Sequence, residues 1–314
     1  MLRALSGHLW TVGPFLADAV RPPREPSARP WETCLDDPRV GRVRLTGRLH
    51  VPDRARALLV VVHGLGGSVA SSYMIRAAHA AAAEGLATLR LNLRGAPRDG
   101  EDIHHAGLTA DLVAALASPE LARFEQVLLL GYSLGAHLVL RYSSEEHDHR
   151  VRGFAAVCAP VDLDRSAQEM DRASRLPYRR HLLRALVEIY ASVHLRRPGP
   201  VTVAQARTIR TLREWDTRVV APRFGFDSAE DYYRRASVAP RLGGIERPTL
   251  IVQAAHDPMV VAESARSPLE RASANVDVRW VDRGGHVAFP NDVSLGVAGP
   301  LGLEPQIVRW LATR

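Results

Sequence analysis

The chain has 314 residues, 46% hydrophobic and 24% charged, which is a globular composition long enough to bury a large core. Two cysteines, Cys34 and Cys158, exclude a disulfide framework and read as free thiols in a reducing compartment. The net charge of +7 is carried by scattered arginines with no basic block, which reads as a solvated surface and gives no sign of a nucleic-acid partner.

Met1 to Val20 is apolar, but His8, Gly13, Pro14 and Asp18 interrupt it, so it is not a secretory h-region. No run of about 18 apolar residues exists, so no transmembrane helix is expected. A cytoplasmic location follows as the expectation, with peripheral membrane contact left open. Residues 21–30, RPPREPSARP, cannot be helix interior, and residues 1–40 read as an N-terminal arm and linker. Gly41 to His50 alternates like a strand. Ala57 to His63 is a continuous apolar run, as in a strand buried on both faces. Ser72 to Glu84 reads as a helix capped by Gly85, and Leu86 to Asn92 as a strand. Gly107 to Ala117 reads as a helix stopped by Ser118-Pro119. Gln126 to Leu130 is a strand, Leu134 to Tyr142 a helix, and Gly153 to Ala159 a strand. The alternation then breaks. Residues 161–240 hold helical patches, Tyr178 to Val193 and Val203 to Trp215, and no buried strand. Strands return at Thr249 to Ala254 and Val276 to Val281, and a last helix covers Pro305 to Ala312. The reading is an α/β fold: a core at 41–160 and 241–314, with a parallel, helix-flanked sheet, interrupted by a helical cap at 161–240.

The strongest chemical signal is Gly131-Tyr132-Ser133-Leu134-Gly135. It matches G-x-S-x-G between an apolar strand and a helix, the context of a strained turn that exposes a nucleophilic serine. A serine needs a base to take its proton and an acid to orient that base. His286 follows the last apolar strand and Asp257 follows Thr249 to Ala254, so both fall on the sheet edge that carries Ser133. The rivals for the acid are His256 and Asp282; Asp282 sits too near His286, so Asp257 is preferred. The glycine-rich turn His63-Gly64-Leu65-Gly66-Gly67 supplies free N–H groups, and an oxyanion hole from the backbones of Leu65 and Leu134 is expected. His63 reads as a structural hydrogen-bonder. No phosphate-loop pattern is present. His104-His105 and His147-Asp148-His149 lack the spacing of a metal site, so no metal is expected. Cys158 reads as packing beside the site.

These residues resemble the YheT-like branch of the α/β-hydrolase superfamily, relatives of the eukaryotic ABHD lipid hydrolases. Gly7-His8-Leu9-Trp10-Thr11 resembles its N-terminal G-H-L-Q-T element, and His63 to Ser68 its H-G-L-x-G-S. Asn92-Leu93-Arg94-Gly95 resembles N-x-R-G, and Ile103 to Gly107 the Y-H-S-G segment. Ala159 to Leu163 resembles S-x-P-x-D-L, Ala255 to Pro258 A-x-D-P, and Gly284 to Phe289 G-G-H-V-G-F. Leu108 departs from the family's Asp, and Ala96-Pro97 from its Cys/Ser-Gly step. The resemblance implies an α/β-hydrolase fold and esterase or lipase chemistry on acyl esters, lipid esters included, without a cofactor. Ser133, Asp257 and His286 are the expected triad. A thioesterase or acyltransferase would use the same three residues, and a non-catalytic member of the superfamily is the reading from another class.

Overall fold

A computed structural model describes residues 2–96, 98–145 and 148–314, with side chains from Leu5 onward. Pro97 and His147, named above, lie outside the described residues. In chain order the elements are α1 (Leu2–Val20), β1 (Arg29–Asp37), β2 (Gly41–His50), β3 (Ala57–Val62), α2 (Ser72–Ala83) and β4 (Ala87–Leu91). Next come α3 (Ala110–Ala117), α4 (Pro119–Ala122), β5 (Gln126–Tyr132), α5 (Leu134–Ser143) and β6 (Val151–Val157). The insertion holds α6 (Leu163–Met170), α7 (Leu176–His194), α8 (Val203–Ala206), α9 (Leu212–Trp215), a π turn (Asp216–Val220), α10 (Ala221–Phe224) and α11 (Ala229–Ala236). The chain closes with β7 (Thr249–Ala254), α12 (Ala262–Glu270), β8 (Val276–Val281) and α13 (Leu303–Ala312).

The eight strands form one sheet in the order β1-β2-β4-β3-β5-β6-β7-β8. From β4 to β8 every pairing is parallel, while β1 and β2 are added antiparallel at one edge. Parallel strands are covered on both faces, so they read as unbroken apolar runs. In β3, Leu58 to Val62 are fully buried. Their side chains alternate between the two faces: Leu58, Val60 and Val62 join one core cluster, and Leu59 and Val61 the other.

Four sequence expectations are corrected. Residues 29–37, expected within an arm and linker, form β1, whose nine residues all pair with β2. The helix expected from Gly107 begins at Ala110, because the backbone of Gly107 and Thr109 is spent on a tight turn: Gly107 N–H donates to His105 Nδ1 (3.1 Å), and Thr109 N–H to the Gly107 carbonyl (3.1 Å). The 203–215 patch is two short helices, each with a threonine cap. The strand expected at 153–159 runs from Val151 to Val157, since Cys158 takes φ +52° and ends the extended run. No helix among the described residues is long and apolar enough to cross a membrane.

The insertion is tied to the sheet at both of its ends. His137 on α5 places Nδ1 2.8 Å from the Pro160 carbonyl and Nε2 3.0 Å from that of Ala236. Arg94, fully buried after β4, bonds Asp37 (2.9 Å), Asp102 (3.3 Å) and Asp111 (3.0 and 3.1 Å). Asp102 also accepts from Arg223 of α10 (2.8 Å), so one buried charge cluster joins β1, α3 and the insertion. Such a cluster is worth keeping whole, because removing one partner would strand an unpaired buried charge.

Candidate active site

Ser133 sits between β5 and α5 with φ +52°, a region that a residue bearing a Cβ seldom adopts. The flanking glycines make this turn possible. A Cβ on Gly131 would lie 2.2 Å from the Gly135 carbonyl oxygen, and one on Gly135 would lie 2.4 Å from that of Val62. The backbone therefore packs on itself, and the serine side chain is lifted off the sheet edge.

The three parallel strands β5, β7 and β8 deliver their following loops to that same edge. Asp257 comes three residues after β7, and His286 five after β8. His286 Nε2 lies 2.9 Å from Ser133 Oγ, and His286 Nδ1 lies 2.8 Å from Asp257 Oδ2. The carboxylate only accepts, so Nδ1 carries the proton and Nε2 is left to accept from the serine hydroxyl. Asp257 Oδ1 accepts from the N–H groups of Met259 (2.7 Å) and Val260 (3.0 Å), which fixes the acid in its loop. Asp257 and His286 are both buried. His256 and Asp282 do not take part in this line of hydrogen bonds.

His63 is buried at the end of β3. Its Nδ1 donates to the Gly64 carbonyl (2.7 Å), and its Nε2 accepts from Leu93 N–H (3.1 Å). Burial pushes its pKa down to about 3, so it stays neutral and holds the turn in shape. A Cβ on Gly64 would fall 3.0 Å from Ser133 Cβ, so this turn passes directly over the serine. Leu65 and Leu134 both border the cavity.

Cys158, Asp257 and His286 are the one group among the described residues with potential metal-ligand atoms clustered together, within 4.8 Å. Burial, and then the Asp257 charge, push the Cys158 thiol well up. It stays a protonated packing group, and the imidazole and carboxylate are already committed to each other.

A cavity of about 680 Å³ opens at Ser133 and His286. Leu182 and Leu186 of α7, Met170 of α6, and Trp215 and Val220 line its cap side, and Val12, Phe15 and Leu16 of α1 line another wall. Two features here escaped the sequence reading. One is α1, whose irregular apolar pattern hid a helix. The other is Asp216, which lines the cavity from the π turn and accepts from Tyr233 O–H (2.6 Å). Burial pushes its pKa up to about 7. π turns are frequent at functional sites, and this one begins directly after the helical patch expected to end at Trp215.

The sequence profile of the alpha/beta hydrolase family matches residues 59–297. The chain belongs to that family. YheT of Escherichia coli, which is named as an esterase, is 33% identical to this hydrolase over 81% of this chain and 76% of its own. Monoacylglycerol lipase of Saccharomyces cerevisiae is 28% identical over 77% of this chain and 57% of its own. Among solved structures, an esterase from Pyrococcus furiosus matches the hydrolase with a TM-score of 0.56 at 16% identity, over 83% of this chain and 85% of that one, a likeness of fold.

Proposed function

We propose that the protein hydrolyses carboxylic acyl esters, with Ser133 as nucleophile, His286 as base and Asp257 as the acid that orients it. The observation that carries this reading is the hydrogen-bonded line from Ser133 Oγ through His286 to Asp257, at 2.9 and 2.8 Å. In this reading Ser133 Oγ attacks the acyl carbonyl as its proton passes to His286 Nε2. The carbonyl oxygen gains the charge, and the N–H groups of Leu65 and Leu134 donate to it. Leu134 opens α5, and the first N–H groups of a helix have no partner within it. The tetrahedral species collapses, the C–O bond to the alcohol breaks, and His286 returns the proton to the leaving oxygen. Water then attacks the acyl-serine by the same route in reverse. Names of relatives in the esterase and lipase classes support an oxygen ester as the substrate.

The cavity is mostly apolar where α1 and α7 line it, which suits an acyl chain, lipid esters included. Residues 161–240 act in this reading as the cap that sets which chain fits. Both cysteines are unpaired, which fits the cytoplasm. Ser133→Ala should abolish hydrolysis of p-nitrophenyl acyl esters and labelling by a fluorophosphonate, and labelling retained in that variant would overturn the assignment. Much faster turnover of acyl-CoA than of matched oxygen esters would turn the reading to a thioesterase.

A further inference from the structure

The helix α1 lies outside residues 59–297, the stretch that the family profile matches, yet it touches both loops that carry the acid and the base. Thr11 Oγ1 accepts from the backbone N–H of His286 (2.8 Å) and donates to the Gly7 carbonyl one turn back (2.8 Å). Thr11 and His286 are 275 residues apart in the chain. The approach is closer than side chains allow. A Cβ on Gly7 would stand 1.7 Å from the His256 carbonyl oxygen, beside Asp257. A Cβ on Gly285 would stand 2.4 Å from the Gly7 carbonyl oxygen and 2.5 Å from Thr11 Oγ1. Two glycines therefore let the helix backbone rest on the acid loop and the base loop at once.

The base loop needs such a hold. Val287, next to His286, has φ +54°, an outlier for a β-branched residue. A strained residue persists only where its surroundings fix it. Within the loop, Gly285 N–H donates to the Ala288 carbonyl (2.9 Å); from outside, Thr11 takes the His286 N–H. Elsewhere on α1, His8 meets the Tyr178 hydroxyl of α7 (2.6 Å), and Asp18 takes Arg76 of α2 through both oxygens (2.7 and 2.9 Å). The helix is pinned on either side of Thr11.

We infer that α1 completes the active site, and that Thr11 is a positioning residue that holds the imidazole of His286 in line with Ser133. This rests on the ester-hydrolase reading above. The Gly7-His8-Leu9-Trp10-Thr11 element then has a physical role: glycine for contact with the acid loop and threonine one turn later for the base loop.

The test uses full-length Thr11→Val, which keeps the shape and removes the hydroxyl, and Thr11→Ser, which keeps the hydroxyl. With a short p-nitrophenyl ester, Thr11→Val should lower kcat roughly tenfold with KM unchanged, because the loss falls on the transition state. Fluorophosphonate inactivation should slow by about the same factor. Thr11→Ser should stay within about threefold of wild type on both. Hydrogen–deuterium exchange over residues 283–289 should quicken in Thr11→Val alone, a readout that does not depend on activity. Wild-type kcat and labelling in Thr11→Val, a raised KM with kcat unchanged, or a Thr11→Ser as slow as Thr11→Val would each overturn the inference. An inert wild-type chain would instead overturn the hydrolase reading, and this inference with it.

Discussion

The C-terminal edge of the sheet and the helical cap above it are held by different physics. At the edge, Ser133, Cys158 and Val287 keep positive φ angles, and glycines pack backbone on backbone at van der Waals limits. The strands β5 and β6 behind Ser133 and Cys158 are almost wholly buried, so those loops have little freedom, while β8 behind Val287 is only half-buried and its loop is held by α1. The cap is held mainly by side chains. The Tyr232 hydroxyl oxygen accepts from Ala106 N–H (3.0 Å), Tyr190 O–H donates to the Val201 carbonyl (2.6 Å), and Arg213 pairs with Asp164 and Glu230. Backbone-fixed loops hold reacting groups tightly in place. Side-chain contacts can be repacked without moving the chain. In the proposed reading, reaction chemistry belongs to the edge and substrate choice to the cap.

The sharpest way to break this comparison is at the edge. Ser133→Ala should lower kcat on the order of 10⁶-fold, measured on p-nitrophenyl esters, with the melting temperature unchanged. Asp257→Asn should cost about 10⁴-fold, because the imidazole loses the group that fixes its tautomer. A loss below about tenfold in either variant would move the chemistry elsewhere. At the cap the effect should be on selection. Leu186→Trp narrows the cavity under α7, so kcat/KM for a dodecanoyl ester should fall by roughly tenfold or more, while the acetyl ester stays within about threefold. Equal losses on both esters would mean that the cap reaches the chemistry itself.

The smallest effects lie in how stability depends on pH, where buried histidines and the buried acid of the cap carry opposite signs. Burial holds His63 at about 3, His104 at about 4, and His105, whose ring packs against Phe224 and Tyr232 of the cap, at about 3. Their folded values lie below the unfolded value near 6.5, so the stability they contribute is complete above about 6.5 and is lost as the pH falls toward 4. In the cap, Asp216 titrates at about 7 folded against 3.8 unfolded. The folded chain then holds a proton that the unfolded chain releases, so stability falls as the pH rises from about 4 to about 7. Asp216→Asn should melt a few degrees higher than wild type at pH 8 and equally at pH 4, with the acid-side loss untouched. Identical melting curves for both proteins from pH 4 to 8 would show that Asp216 carries no such penalty.

The sheet was legible because burial on both faces writes itself into sequence as apolar runs. Leu58 to Val62 aside, the clearest case is Gln126 to Tyr132, where every residue after Gln126 is buried and the turn at Ser133 follows. The helix α1 was not legible. Its pattern contains Gly7, Gly13 and Pro14, each unfavourable in isolation, and its inner face meets residues near the other end of the chain. β1 was hidden by its half-exposed alternation and the preceding prolines.

What the sequence determined by itself is the set of candidate reactive groups and their order: a serine between two glycines after a buried strand, then an aspartate and a histidine after later strands. Parallel strands place their C-terminal ends on one edge, so local pattern and topology are enough to bring these three near one another. Only the tertiary structure decided how they are held. The contacts of Thr11 with His286 and of Gly7 with His256, the cluster around Arg94, and the cavity face of Asp216 all join residues far apart in the chain. Such contacts depend on side-chain shape across a folded interface, which no local period in the sequence records.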